Sequence, residues 1–465
     1  MVHSKFKGSG LKGLHDLNSV DDIGSLLRQL NISPVKALGQ NFLRDAITSK
    51  AIVESLNCNG DDIVIEIGPG LGALTQHLIG KVKKLILIEF DKNIANLLTD
   101  IFDGHPDVEV INEDAVKFDL TSFYAFGGVK VIGNLPYSSG SEILRNFLTF
   151  PTPVTKAVFM LQKEVAERYA ALPRTKSYGI NTVLIGSRWD VEKLDEVSSE
   201  PFFPPPKIKS LVIRLELKKE AYYKPFNDRV LKRVLTCGFK ERRKQMKKRM
   251  PLRGLEWEDL CSAIDISTQS RAEELSVKQW IEVARLLDEN PLKDIPQRDT
   301  EMFDVVDNDD NVTNQADRVT IHNEDLLHRA VHIFVFNRFG KLFLQKRSLY
   351  KDSSPGLWDS SCSGHLDSGE NYESASIREL KEELGVKSRI EFITKLIPSV
   401  NTGWEFIGLY SCSHNGPFNF PYSEIETGEF FDLEIISNWI FHRPKDFAPG
   451  FIECFKVYIG KNDCL

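Results

Sequence analysis

The sequence has no apolar run long enough to cross a membrane and no closely spaced pair of cysteines. A membrane helix needs about 20 mostly apolar residues, and a secretory signal would place an apolar stretch near the start. Because residues 1–33 carry neither, the protein is expected to stay in the cytoplasm, away from membranes. Its seven cysteines are scattered without a C-x-x-C pair, which argues against a disulfide framework and a zinc site.

An excess of positive charge is also missing, since the formal net charge is −7. The average composition therefore does not indicate a nucleic-acid binder, although one domain can still carry a basic surface. The charge is segregated along the chain: residues 239–249 are strongly basic, whereas residues 294–325 are mostly acidic and polar.

A chain of 465 residues predicts two or three domains. Up to about Leu217, short apolar runs alternate with helix-like stretches, which predicts an α/β fold with a doubly wound parallel sheet. Later strand-like runs and a charged helix at Tyr372–Leu384 predict a second α/β domain. Met302–Val306 is either linker or the first strand of that domain. The predicted organisation is an N-terminal extension (1–33), a nucleotide-binding α/β domain (34–220), a helical subdomain (221–290), a linker (291–317) and a C-terminal domain (from 299 to 465).

A glycine-rich segment, residues 66–72, follows the apolar run Ile63–Ile65. Gly68 and Gly70 fall where a strand turns into a helix, so the backbone can approach a ligand closely. Glu89 ends the next strand about 20 residues further on, where a carboxylate can accept hydrogen bonds from ribose hydroxyls. Asp114 ends the third strand and can accept from an adenine amino group. Together these residues predict a nucleoside cofactor, the alternative being a tight turn without a ligand.

The fourth strand-like run is followed by Asn134-Leu135-Pro136-Tyr137, which indicates methyl transfer to an amine. The amide of Asn134 and the carbonyl of Leu135 or Pro136 can accept hydrogen bonds from an exocyclic amine, while Tyr137 stacks on the base. Such bonds direct the lone pair of the amine towards a methyl donor, so catalysis rests on positioning. This chemistry requires no metal and no covalent nucleophile.

Residues 38–43, 134–137, 161–166, 202–207 and 271–276 carry motifs in the order found in one family. Over about residues 34–290 the chain resembles the KsgA-type ribosomal RNA adenine dimethyltransferases. The resemblance implies a Rossmann-like fold that uses S-adenosylmethionine, with a small helical domain. Implied cofactor-binding residues are Gln40, Asn41, Leu43, Gly68, Gly70, Glu89, Asp114 and Asn134.

The same resemblance implies that Tyr137 and Phe202 sandwich the target base. The implied substrate is a pair of adjacent adenines near the 3′ end of small-subunit (16S) rRNA, each methylated twice at N6 on an immature ribosomal subunit. Beside such a domain the basic run predicts an RNA-binding helix face, the alternative being a solvated face. Its candidate RNA-binding residues are Lys240, Arg242, Arg243, Lys244, Lys247 and Lys248. A rival interpretation, an inactive RNA or DNA binder, is disfavoured by the intact motif at residues 134–137.

A second motif runs from Gly364 to Val386 and matches the Nudix box, G-x5-E-x7-R-E-U-x-E-E-x-G-U, at every defined position. Glu379, Glu382 and Glu383 share one helical face, where their charges repel unless a hard cation such as Mg²⁺ or Mn²⁺ binds. We therefore assign all three as metal ligands, with Glu382 and Glu383 also catalytic. The chain here resembles the Nudix family, which implies an α/β/α fold and hydrolysis of a nucleoside diphosphate linked to another group.

The flanks of this motif resemble the branch that includes isopentenyl-diphosphate isomerase. That enzyme uses a cysteine acid/base two residues before the motif histidine, where this chain has Ser363, with Cys362 displaced by one. An intact Nudix box therefore favours hydrolysis, and Cys362 is interpreted as a packed side chain. A catalytically idle RNA-binding Nudix fold is the other alternative. The whole chain is predicted to fuse a methyltransferase with a Nudix hydrolase.

Overall fold

The computed structural model of the protein describes residues 41–219, 225–242, 244–288 and 300–462, together with Lys7 and Leu27. Gln40, Arg243 and nearly all of the predicted N-terminal extension lie outside these described residues. The chain divides into two compact units, Met1–Lys219 with Arg229–Val283 and Glu220–Asp228 with Ala284–Leu465. Within the described residues no helix is both long and apolar enough to cross a bilayer.

The first unit is built on the strands β1 (Phe42–Leu43), β2 (Ile63–Ile67), β3 (Lys84–Ile88), β4 (Val108–Ile111), β5 (Val129–Asn134), β6 (Val154–Gln162), β7 (Trp189–Val197), β8 (Phe202–Phe203) and β9 (Ser210–Leu217). Seven of these strands form one sheet in the order β4-β3-β2-β5-β6-β9-β7, while β1 pairs with β8. From β4 to β6 neighbouring strands are parallel, and β9 and β7 are antiparallel to their neighbours. The strand order reverses between β2 and β5, so a crevice for a ligand is expected at their carboxyl ends.

The helices up to residue 288 are α1 (Ala46–Leu56), α2 (Thr75–Leu78), α3 (Lys92–Ile101), α4 (Gly140–Leu148), α5 (Lys163–Tyr169), α6 (Ile180–Gly186), α7 (Asp228–Phe239), α8 (Trp257–Ala263) and α9 (Val277–Leu286). All five residues of β2 are buried, as expected for a central parallel strand that is covered on both faces. The predicted helical subdomain is helical at α7, α8 and α9. There the ring of Trp280 lies so close to Gly238 that a Cβ at this position would meet it at 2.5 Å.

The second unit contains the strands β10 (Met302–Val306), β11 (Val312–Asp317), β12 (His328–Phe336), β13 (Leu342–Arg347), β14 (Trp358–Asp359), β15 (Cys362–His365), β16 (Glu391–Leu396), β17 (Glu405–Ser413) and β18 (Ile425–Phe431). Its helices beyond residue 300 are α10 (Arg318–Asn323), α11 (Tyr372–Leu384), α12 (Leu433–His442) and α13 (Pro449–Asn462). A mixed sheet has the order β14-β13-β12-β17-β16, with β15 on β12 and β18 on β13. Helix α11 begins after Asn371, whose side chain accepts from Ser374 N, and ends at Gly385 with a positive φ of 68°.

Two predictions about local structure need correction. Residues 302–317, placed inside the predicted linker 291–317, form the antiparallel hairpin of β10 and β11, which is the alternative that the sequence allowed for Met302–Val306. The basic run does not continue as a helix, because α7 ends at Phe239 and turns follow. Met246 interrupts any helix there, since its side chain is buried and its amide bonds to the carbonyl of Ser270.

Candidate active sites

A cavity of about 410 Å³ lies at the carboxyl ends of the parallel strands in the first unit. It opens where β2, β3 and β5 end, which is the position expected from the strand order. Its lining includes nearly every described residue that the sequence assigned to the cofactor or to the target base: Asn41, Leu43, Gly68, Gly70, Glu89, Asp114, Asn134, Leu135, Pro136 and Tyr137. The roles of these residues stay predictions.

The glycine turn forms one wall of this cavity. Gly68 and Gly70 have positive φ angles of 64° and 55°, which favour glycine. A Cβ on Gly70 would also lie 3.1 Å from the ring of Phe42. The amide of Gly70 donates to Oε2 of Glu89 at 3.1 Å, so the turn and the predicted ribose ligand hold each other in place.

Two buried carboxyl groups, those of Glu66 and Glu89, lie next to the glycine turn. Burial raises the pKa of Glu89 to about 7, although the amides of Asp91 and Gly70 donate to it. Burial likewise raises the pKa of Glu66 to about 8, and Thr75 Oγ1 donates to its Oε2 at 2.8 Å. Burial favours the neutral form of both groups, and hydroxyl groups of a ligand that donated to Glu89 would favour its charged form. The residues therefore fit a nucleoside cofactor.

Sequence reasoning gave no role to two acidic residues near the glycine turn, Glu66 and Asp91. Glu66 opens the glycine turn but was assigned no role, and its burial in a central strand is the signal that could have shown one. Asp91 had no assigned function, and the structure shows that it caps α3, accepting from the amides of Asn93 and Ile94 at 2.9 and 3.3 Å. An aspartate directly before an amphipathic segment is the usual sequence signal of such a cap.

The Asn134–Tyr137 segment forms the opposite wall. Nδ2 of Asn134 donates to the carbonyl of Asn41 at 3.1 Å, so the amide is oriented and its Oδ1 remains an acceptor. The hydroxyl of the half-buried Tyr137 is 3.1 Å from Oγ of Ser210, which fixes the position of the ring. Segment 134–137 is therefore held in place from both ends by hydrogen bonds.

Phe202 does not line the cavity. It is only 2% exposed and pairs with Leu43 across the β1–β8 ladder, inside a hydrophobic cluster. The described arrangement therefore does not place Phe202 and Tyr137 on two sides of an open slot. Stacking of Phe202 on a base would require its side chain to leave this cluster, and its role stays a prediction.

The second unit has a cavity of about 590 Å³ at the start of the Nudix box. Helix α11 presents Glu379, Glu382 and Glu383 to this cavity, as predicted from their spacing. Glu379 lies against Gly364, where a Cβ would come within 2.2 Å of its carboxyl carbon, so any side chain there would displace this carboxylate. The amide of Ser363 donates to Oε2 of Glu383 at 3.1 Å.

Arg378 joins the separate parts of the box. Its guanidinium donates to Glu379 Oε1 at 2.7 Å, to Glu370 Oε2 at 2.8 Å and to the carbonyl of His365 at 3.0 Å. Arg378 therefore orients Glu379 and Glu370, because a planar cation with several donors can fix several acceptors at once. Glu370 therefore acts through Arg378 and does not face the metal ligands directly.

Glu379 and Glu383 have raised pKa values, chiefly because both carboxyl groups are buried, and for Glu379 also because Glu383 repels it. Glu382 is the exposed member of the three, with 62% of its side chain accessible. Two buried carboxylates beside an exposed one form an oxygen donor set that lacks positive charge. Such a set fits a hard divalent cation such as Mg²⁺ or Mn²⁺.

A histidine cluster also lies in this cavity, and sequence reasoning missed it because its members come from α10, β12 and β15. Ring nitrogens of His322, His328 and His365 lie within 4.8 Å of one another. Nε2 of His365 is 2.9 Å from Glu405, while its Nδ1 is 3.3 Å from the guanidinium of Arg318. The fixed positive charge of Arg318 therefore lies against this cluster, in which His365 hydrogen-bonds to Glu405 and Nε2 of His328 is 3.5 Å from the same carboxylate.

Cys362 is fully buried and does not line the cavity, whereas Ser363 does. Burial also raises the pKa of this thiol well above its usual range. Both observations agree with the interpretation of Cys362 as a packed side chain.

The β10–β11 hairpin is bonded to the loop that carries the Nudix box. Asp304 on β10 accepts from the hydroxyl of Ser368 at 2.7 Å and from the amide of Gly369 at 2.9 Å. Asp310, in the hairpin turn, accepts from Arg329 at 2.6 Å and from Tyr372 at 2.9 Å. The hairpin therefore helps to position the loop between Gly364 and the start of α11.

The basic run of the first unit is largely paired with acids. Arg242 donates to Glu273 at 2.6 Å and to the carbonyl of Thr175 at 2.6 Å, which gives it a structural role. The remaining partners are acidic side chains: Lys244 pairs with Glu241 at 2.7 Å and Lys247 with Glu258 at 2.5 Å. Among the residues that the structure describes, Lys240 and Lys248 are exposed and form no such pair.

Comparison with known proteins agrees with this geometry. The model of the family described as ribosomal RNA adenine dimethylase matches residues 33–289, more than half of the chain. The chain belongs to this family. The family match covers both the methyltransferase cavity and the helices α7 to α9, and a NUDIX domain model matches residues 326–449. The chain is therefore a member of the rRNA adenine dimethylase family that carries a NUDIX domain, which confirms the predicted fusion and its α/β fold class.

Two curated relatives carry the name ribosomal RNA small subunit methyltransferase A. The protein from Francisella tularensis subsp. novicida is 35% identical over 54% of this chain and 97% of its own length. The protein from Legionella pneumophila is 35% identical over 55% of this chain and 98% of its own length. A crystal structure of the 23S rRNA methyltransferase ErmE is 25% identical, covers 54% of this chain and 100% of that chain, and has a TM-score of 0.45.

Proposed function

We propose that the first unit transfers methyl groups from S-adenosylmethionine to N6 of two adjacent adenines near the 3′ end of small-subunit rRNA, in the cytoplasm. The observation that carries this proposal is the meeting of the glycine turn, Glu89 and the Asn134–Tyr137 segment around one cavity. The cofactor, when bound, supplies an electrophilic methyl group. Glu89 would accept from its ribose, and Asp114, with one carboxylate oxygen already bonded to the amide of Val116, would accept from its adenine.

The chain's own groups then orient the target amine. Oδ1 of Asn134 and a neighbouring carbonyl accept from the N6 hydrogens, which directs the nitrogen lone pair away from those acceptors. Tyr137 offers its ring face to the base, and its bond to Ser210 prevents rotation of the hydroxyl end. Positioning is the main contribution required, since the amine nitrogen is the nucleophile, and the proton that N6 loses at each transfer passes to solvent at the mouth of the cavity.

For the second unit we propose hydrolysis of a nucleoside diphosphate derivative with Mg²⁺ or Mn²⁺. Glu379, Glu382 and Glu383 would hold the ion, which polarises a phosphoryl group and activates water when bound. Arg378 keeps Glu379 in place, and the amide of Ser363 does the same for Glu383. The isomerase alternative would need an acid/base at Ser363 or Cys362, and Cys362 does not face the cavity.

Both proposals can be tested on the full chain with two variants that serve as each other's controls. Immature small subunits are incubated with S-adenosylmethionine, and N6-dimethyladenine is measured by primer extension. In parallel, release of nucleoside monophosphate is measured over a panel of nucleoside diphosphate derivatives with Mg²⁺. Asn134→Ala should abolish methylation and leave hydrolysis intact, while Glu383→Gln should do the reverse. Absence of dimethyladenine with the wild-type chain, or of release from every diphosphate, would reject the corresponding proposal.

A further inference from the structure

Two hydrogen-bond donors face the same part of the Nudix cavity, away from the three glutamates. One is the side chain of His332 on β12, which is only 6% exposed. The other is the N-terminus of the 14-residue helix α13, whose residues Pro449 and Gly450 line the same cavity. A Cβ built on Gly450 would stand 3.7 Å from Nε2 of His332, so the ring edge and the first helical turn share one space.

The hydrogen bonds of His332 leave one ring nitrogen for a ligand. Its Nδ1 is 2.6 Å from Oγ of Ser360. In the tautomer in which the serine hydroxyl donates to Nδ1, the ring proton lies on Nε2, and this is the tautomer that an anion would select. His332 lines the cavity, its Nε2 faces Gly450, and among the described residues its ring hydrogen bond is the one made by Nδ1.

The second group of hydrogen-bond donors is the N-terminus of α13. The amide of Ala448 donates to the carbonyl of Trp358 at 2.9 Å, and the amide of Ile452 donates to the carbonyl of Ala448 at 3.2 Å. The amides of Gly450 and Phe451 lie between these two and have no acceptor among the described residues. Free amides at the start of a helix, together with the helix dipole, favour an anion.

The charges around these donors allow an anion to bind. The carboxylate of Asp359, 4.0 Å from Nδ1 of His332, is paired with Arg347 at 2.8 Å. Glu405 is engaged by His365 at 2.9 Å. The nearest carboxylates are therefore already occupied, and an incoming anion does not meet a free negative charge beside the donors.

The strand register brings His332 close to the carboxylates of the Nudix box. His332 lies directly opposite Ser363 in the β12–β15 pairing, and the amide of Ser363 donates to Glu383. Paired residues of antiparallel strands are about 5 Å apart at Cα. One phosphate held through a cation at the glutamates would therefore have its neighbouring phosphate near His332.

We propose that His332 and the N-terminus of α13 form a second phosphate subsite, which holds the phosphoryl group adjacent to the one bound at the Nudix glutamates. This inference rests on the proposed diphosphate hydrolysis and deepens it, because it identifies what recognises the substrate's second phosphate. Gly450 is part of the subsite because any side chain at this position would stand over Nε2.

Binding of imidodiphosphate, a diphosphate analogue that resists hydrolysis, tests the subsite in the full chain with Mg²⁺. Isothermal titration calorimetry should show that His332→Phe and Gly450→Asp each raise its Kd at least tenfold, since one removes the donor and the other puts a carboxylate in the subsite. His332→Gln, which restores a donor, should stay within threefold of wild type. Gly460→Ala is the matched control in the same helix, because a Cβ there meets nothing within 4 Å.

Unchanged Kd values for both Gly450→Asp and His332→Phe would overturn the inference. Should the buried His332 variants fail to fold, as judged by circular dichroism, Gly450→Asp at the half-exposed helix start decides alone. Inorganic phosphate in a parallel titration separates substrate from free ion: a subsite for a diphosphate binds imidodiphosphate at least ten times more tightly, and equal affinities contradict it. Variant-sensitive binding without hydrolysis of any diphosphate would reject the proposed hydrolase activity while leaving the subsite in place.

Discussion

The buried carboxyl group of Glu89 is expected to bind the cofactor and, when it is ionised, to destabilise the fold. Replacement of Glu89 by Gln tests both effects. In the folded chain without cofactor, burial raises the pKa of Glu89 from 4.5 to about 7. Its two oxygens accept from Gly70 and Asp91 at 3.1 and 2.9 Å. Gln keeps the shape and one acceptor oxygen, but it cannot ionise.

The sign of the pH effect follows from the direction of this shift. Because the folded pKa lies above the unfolded one, the group favours folding most below pH 4.5, and this contribution is lost as the pH rises towards and through 7. For a shift from 4.5 to about 7, the loss between pH 5 and pH 8 amounts to about 2 to 3 kcal/mol. Relative to wild type, Glu89→Gln should therefore gain roughly that amount of unfolding free energy over the same interval.

The assay is chemical unfolding without cofactor at several pH values between 5 and 8, combined with calorimetric titration of S-adenosylmethionine at pH 8. Loss of a charged acceptor for ribose hydroxyls should weaken cofactor binding by about 10- to 100-fold. Glu54→Gln is the control, since that carboxyl is 61% exposed and does not line the cavity, so the variant should keep the cofactor affinity of wild type. A stability difference that stays flat with pH, or an unchanged cofactor affinity, would refute the reasoning.

Three other predictions concern other parts of the chain. Glu383→Gln should lower Mg²⁺-dependent diphosphate hydrolysis by about 100-fold or more and raise the Mg²⁺ concentration needed, because a buried ligand loses its charge. Gly238→Ala should destabilise the first unit by about 1–3 kcal/mol, visible as a lower thermal midpoint, because its Cβ would meet the ring of Trp280 at 2.5 Å. Replacing Lys240 and Lys248 together by Ala should weaken RNA binding and reduce the slope of log K against log salt concentration by about 2.

The predictions for Gly238 and for the two lysines each have a control variant. Gly460→Ala adds the same methyl group to open space in a helix and should not lower the thermal midpoint. Arg242→Ala should lower stability, because that guanidinium holds Glu273 and the carbonyl of Thr175. If Arg242→Ala instead lost only RNA affinity while the two lysines had no effect, the division between structural and RNA-contacting cations would be wrong.

Much of both sites could be predicted because their residues lie in short, ordered segments. The glycine turn follows a fully buried strand, and the run of apolar residues in Ile63–Ile67 already indicates that strand. The glutamates of the Nudix box lie three and four residues apart, so any helix must bring them to one face. In these segments local geometry alone determines which side chains meet.

The errors have a common physical cause, since each depends on a distant partner. The basic run was predicted as a helix, but the burial of Met246 and its bond to Ser270 bend the chain. Two of the candidate RNA-binding cations, Lys247 and Arg242, also pair with Glu258 and Glu273 from later helical segments, and the local sequence does not indicate these partners. The histidine network and His332 could not be predicted either, because strand register decides which of these rings share a face.

The hydrogen bonds of the β10–β11 hairpin determine which fragment of the chain keeps the contacts of the Nudix domain. The NUDIX match begins at residue 326, so a fragment that starts there would lack Asp304 and Asp310. The hydroxyl of Ser368, the amide of Gly369 and the guanidinium of Arg329 would lose their acceptors, and the loop before α11 would be free to move. A fragment that starts at residue 300 retains the hairpin and is the one whose catalytic measurements can be compared with those of the whole protein.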